Sequence, residues 1–111
     1  MSEESEVEVG SGNIFADLGL PDSADLLLKA QIVAELHRLI RARKLTQTNA
    51  AKLIGIAQPD LSNLLRGRLR GYSAERLIRM LTAFEQDVEI VVKPHRRAGE
   101  AGTITFRAPA E

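Results

Sequence analysis

The chain has 111 residues, enough for one compact domain with tails and too few for two ordinary ones. It has no cysteine, and its two histidines, His37 and His95, lack ligand-spaced companions, which argues against a disulfide framework, a metal site or any cofactor. The formal charge of zero conceals segregation. Residues 1–36 hold eight acids and one base, residues 37–79 hold ten bases against only Asp60 and Glu75, and residues 80–111 hold five acids and four bases. A basic centre points to a polyanion, because lysines and arginines on one face displace the counterions condensed on phosphate. A solvated helix surface would show the same run.

Residues 1–12 combine acids, serines and glycines with almost nothing to bury and are expected to stay disordered. The opening MSEESEVEVG is acidic where a secretory signal is basic and then apolar. No run approaches the roughly eighteen apolar residues of a membrane span, so a soluble, cytoplasmic protein is expected. NIFADLGLP follows, with Ile14, Phe15, Leu18 and Leu20 apolar and Gly19 and Pro21 breaking the run; it docks either on its own domain or on a partner.

Pro21, Asp22 and Ser23 supply a helix start, and the bases near residue 43 suit the negative end of the helix dipole. Val33, Leu36, Leu39 and Ile40 recur at three-and-four spacing as an apolar stripe, with Glu35, Arg38 and Arg41 away from it and His37 exposed. In LTQTNAAKLIG, Thr46 reads as an N-cap, Gln47 to Ile54 as helical, and Gly55 as a left-handed stop. Gln58, Pro59 and Asp60 then open another short helix ending at Gly67, Pro59 sitting early where its missing N–H matters little. Leu61, Leu64 and Leu65 give that helix one buried face, leaving Gln58, Pro59, Ser62, Asn63 and Arg66 outside. A fourth amphipathic helix runs from Ser73 to Phe84, burying Leu77, Ile78, Leu81 and Phe84. The period then changes: VEIVVKP is β-branched and GTITFRA alternates, so both read as strands that either cover the helices or pair with a second copy of the chain.

Two short helices joined by a glycine-containing turn, the second exposing small polar side chains, form the pattern of a helix-turn-helix. A recognition helix must enter a groove about 12 Å wide, so its outward groups must be slim and must carry donors and acceptors for base edges. Gln58, Ser62 and Asn63 fit, and Pro59 can touch a thymine methyl. Asp60 either helps to start the helix or accepts from a cytosine amino group. Thr46 and Gln47, at the positive end of their helix, and Arg66, Arg68 and Arg70 in the turn beyond are suited to the sugar-phosphate backbone. Catalysis is not expected: Ser62 and Ser73 have no histidine at helical spacing, and there is no glycine-rich phosphate loop.

LTQTNAAKLIGIAQPDLSNLLRG resembles the XRE family of lambdoid phage repressors and Cro, over residues 36–84. Leu45-Thr46-Gln47 is similar to the family's L-T-Q opening, Ala51 to the small residue inside its first motif helix, and Leu53 to Ile56 to its L-G-V turn. Leu61-Ser62, Leu64 and Gly67 match its recognition helix. The resemblance implies that Gln47 touches phosphate while Gln58, Pro59, Ser62 and Asn63 face bases. The chain departs from the family at Ala57, where Ser, Thr or Asp usually caps, and at Asp60, where a basic or small residue is commoner.

More narrowly, NIFADLGLP, IAQPDLSNLLRGRLRGYS and AFEQDVEIVVKP resemble the HigA-type antitoxins, commonly encoded beside a RelE/HigB-like toxin. That likeness implies a dimeric repressor of its own operon that neutralises a ribosome-dependent ribonuclease. The expected architecture is mainly α: a four-to-five-helix repressor-like helix-turn-helix bundle with a C-terminal β-strand or hairpin. Residues 1–12 form an acidic tail, 13–22 an apolar segment for docking or partner binding through Ile14, Phe15 and Leu18, 23–87 the DNA-binding domain, and 88–111 a strand region for dimerisation. The expected partners are a double-stranded DNA operator, a second copy of the chain and a toxin protein. The alternatives are a solitary XRE-type regulator, or a protein-interaction module in which DNA binding is secondary.

Overall fold

A computed structural model describes residues 22–109 of the chain. Four helices follow in order: α1 (Asp22–Ala42), α2 (Gln47–Ile54), α3 (Gln58–Leu65) and α4 (Ala74–Thr82). The apolar stripe of α1 is buried as its spacing demands, with Ile32, Val33, Leu36, Leu39 and Ile40 all in the core. α1 packs along α4 and also touches α3, while α2 packs against α3. Leu61 and Leu64 of α3 join Leu77, Met80, Leu81 and Phe84 in one cluster with α1.

Local chemistry sets the helix boundaries. Thr46 Oγ1 accepts from the Asn49 N–H at 3.1 Å and starts α2. Gly55 stops α2 with φ 93°, a left-handed conformation that costs glycine nothing and other residues a steric penalty. Only Ile56 and Ala57 separate that stop from α3, so the two short helices are held at a fixed elbow. Ala50 and Ala51, both buried, let α2 approach the bundle closely. Ser73 Oγ accepts from the Arg76 N–H at 3.1 Å and starts α4.

Glu35, expected on the polar face of α1, is only 9% exposed. Its carboxylate receives Arg38 Nε at 2.8 Å and Nη2 at 2.7 Å, a bidentate pair that offsets the desolvation of the acid. The hydrogen bond from Arg38 to Glu35 also holds that guanidinium more firmly protonated than usual. Arg43, at the end of α1, reaches across the bundle. Its Nη2 donates to the Phe84 carbonyl and to Glu85 Oε1, and the guanidinium lies 5.6 Å from the centre of the Phe84 ring. Glu85 itself takes φ 62°, turning the chain away from α4.

The expected C-terminal strand or hairpin is not formed: among the described residues there is no strand. Val88, Ile90, Val91, Val92 and Ile104 are exposed, Val92 to 92%, while Phe106 packs against the core. The reason is physical. β-branched residues favour a pleated surface, but a strand exists only through its ladder, and the segments 88–94 and 102–108 form none with each other. The apolar segment with Ile14, Phe15 and Leu18 lies outside the described residues.

Candidate nucleic-acid interface

The polar face of α3 is built from the leucines behind it. Leu61 and Leu64 have no exposed surface and fix the roll of the helix about its axis. Gln58, Pro59 and Asp60 in its first turn are exposed, and Ser62 and Asn63 are half-buried along its outer side. Ala57 stands at the N-cap without a side-chain hydrogen bond. Asp60 places its charge in that same first turn and makes no hydrogen bond or ion pair among the described residues, so its favourable interaction is with the positive end of the helix.

Two contacts organise this face, and sequence spacing did not announce either. Gln58 Nε2 donates to Gln47 Oε1 at 3.0 Å, joining the first turns of α2 and α3. This leaves both N–H groups of Gln47, together with the carbonyl and one N–H of Gln58, available to a ligand. Arg66, expected to extend into the turn with Arg68 and Arg70, instead folds back along α3, with Nη2 donating to Ser62 Oγ at 3.0 Å. The i,i+4 spacing of 58, 62 and 66 was the available signal for one polar row.

The cations around the motif divide by their partners. Lys29 pairs with Asp25 at 3.0 Å, Arg38 with Glu35, Arg43 with Glu85 at 3.2 Å, and Arg79 with Glu75 at 2.9 Å. Among the described residues Arg66, Arg68, Arg70 and Lys52 have no acidic partner, nor do Arg41, Lys44 and Arg76, so uncompensated positive charge flanks the motif on both sides and extends to the end of α1. Gly67 and Gly71, at φ 93° and 90°, bracket the turn that carries Arg68 and Arg70. Beyond it Arg76 stacks 4.7 Å from the centre of the Tyr72 ring, a contact that braces the exit of the turn. An amide pair, a hydroxyl and an exposed proline, flanked by exposed arginines on a rigid elbow, can hydrogen-bond flat polar edges while neutralising an anion alongside.

Residues 14–93 match the model of a helix-turn-helix domain family. That match covers most of the chain, which therefore belongs to the helix-turn-helix class of DNA-binding proteins. Within that class it is of the XRE type. A solved structure described as "Putative XRE Family Transcriptional Regulator" is 37% identical, with a TM-score of 0.75, covering 80% of this chain and 100% of that one. No curated protein matches the chain. Among the described residues no helix is long and apolar enough to cross a membrane.

Proposed function

We propose that this XRE-type protein is a sequence-specific transcriptional repressor that binds its operator as a homodimer, and that it is the antitoxin of a toxin-antitoxin pair. The observation that carries the DNA-binding part is the exposed polar row of α3, rolled outward by Leu61 and Leu64 and flanked by arginines that have no acidic partner among the described residues. Gln58, Pro59, Ser62 and Asn63 face the bases of the major groove. Thr46, whose hydroxyl proton remains free to donate after capping α2, works with Gln47, Arg68 and Arg70 to hold the sugar-phosphate backbone. Arg66 stands between the two sets.

The antitoxin part rests on the HigA-type likeness of residues 13–21, 56–73 and 83–94, with a RelE/HigB-like ribonuclease as the second partner. Co-expression with the small ribonuclease of a neighbouring reading frame tests it. Co-purification with the full chain supports the assignment; ribonuclease that stays unbound in that mixture leaves a solitary regulator.

One helix-turn-helix buries too little DNA surface for useful affinity, so two half-sites about 10 bp apart are expected. The exposed segment Val88–Val92 suits strand pairing with a second copy, which would supply the missing ladder. Footprinting on the chain's own promoter should show two symmetric protected patches. A single short asymmetric patch would remove the dimer from the proposal, and no protection at low salt would remove DNA binding altogether.

Arg68→Ala should weaken binding to all duplexes evenly and reduce the slope of log K against log salt by about one unit, as loss of one phosphate contact requires. A change confined to one operator sequence would place Arg68 on a base instead. The same exposed strip, Val88 to Val92, also favours a second reading, a protein-interaction module whose partner is a strand of another protein.

A further inference from the structure

The direction of the hydrogen bonds on α3 gives its outer face two chemically different ends. At the first turn, Gln58 gives one N–H to Gln47 and keeps its carbonyl and second N–H, an acceptor beside a donor. One turn further on, Ser62 Oγ accepts from Arg66 Nη2 and makes no other hydrogen bond among the described residues, so its proton is left to donate. The guanidinium keeps its remaining N–H groups, and among the described residues no carboxylate competes for them. That end of the helix offers donors toward the groove.

We infer that the Ser62–Arg66 pair reads a guanine, and that Arg66 determines specificity instead of anchoring the phosphate backbone. The inference rests on the DNA-binding reading above and names the base that this part of the site selects. In the major groove guanine presents two acceptors, N7 and O6, and no donor of its own. Adenine and cytosine each present an amino donor, which would meet the guanidinium head-on, and thymine offers one acceptor beside a methyl group. A planar fork of N–H groups beside a donating hydroxyl therefore matches guanine with two bonds and every other base with fewer.

Position supports the assignment. Gln58 and Ser62 share one row of α3 that Arg66 continues at the C-cap, whereas Arg68 and Arg70 lie beyond the left-handed Gly67, where the chain has left the helix. The fold-back to Ser62 holds the guanidinium near the level of that serine, which a rise of about 1.5 Å per residue places about 6 Å along the axis from Gln58. With bases stacked about 3.4 Å apart and the helix lying in the groove, the guanine lies within about two base steps of the base under Gln58. The mixed acceptor and donor of Gln58 suit an adenine there.

The test is selection of binding sites by the full chain from a duplex library randomised over two helical turns, repeated with Arg66→Ala, Arg66→Gln and Arg68→Ala. The unaltered chain is expected to enrich a guanine within about two steps of an adenine. Arg66→Ala should lose about five- to 150-fold in preference for guanine at that one position while the adenine preference persists. Arg66→Gln should shift that position toward adenine, since a carboxamide pairs with the adenine edge. Circular dichroism melts of the variants confirm that each is folded.

If Arg66→Ala lowers enrichment of all sequences alike, as Arg68→Ala should, Arg66 is a backbone contact and the inference is wrong while the DNA-binding reading stands. If the unaltered chain enriches sites without that guanine, the inference fails in the same way. If it enriches nothing, sequence-specific binding and the inference fall together.

Discussion

Replacing Phe84 by alanine is expected to cost about 3–5 kcal/mol of folding stability, a large share of the about 5–15 kcal/mol that a small domain holds. The ring is fully buried at the junction of α1 and α4, among Leu36, Leu77 and Leu81 in the same core cluster. Its removal leaves a cavity that the surrounding leucines cannot fill without moving both helices. Arg43 would also lose the aromatic face 5.6 Å from its guanidinium. Urea denaturation should show the midpoint falling at an unchanged slope, with DNA binding lost in step with the folded fraction. A cost below about 1 kcal/mol would mean that the turn after α4 is not part of the core.

Gln58→Ala should cost about 1–3 kcal/mol in DNA affinity and relax selection at one base pair, leaving stability nearly unchanged because the side chain is exposed. The 3.0 Å bond to Gln47 adds a second expectation. Gln47→Ala should lose a phosphate contact and also free the Gln58 amide to rotate, so the two substitutions should be non-additive in a double-mutant cycle on operator DNA. Equal losses across all operator variants would show that Gln58 touches no base. Strict additivity would show that Gln47 does not orient it.

Much of this arrangement was legible from residue chemistry. Thr46, Gly55 and Pro59 each act over one helical turn, so the limits of α2 and the start of α3 follow from local propensities alone. The leucine spacing of α3 likewise placed Leu61 and Leu64 in the core, although Leu65, expected beside them, is only half-buried, as are Ser62 and Asn63. What escaped depends on partners that local sequence does not specify. Glu35 looks solvated until Arg38 closes on it with two bonds. Arg66 looks like one more cation in a basic turn until its fold-back to Ser62 is seen. Val88 to Val92 carry a strand composition, yet a strand forms only where a second edge pairs with it, which composition does not specify.

The bridge from Arg43 to the Phe84 carbonyl and Glu85 has a mechanical consequence. It pins the point at which the polypeptide departs the bundle, and the backward twist at Glu85 sets the bearing of that departure. Two molecules gripping one another downstream of such a bolt would behave as a caliper with little play. The gap between their reading heads would be a property of the protein, and DNA whose paired sites were shifted by an inserted base pair would have to twist to be held.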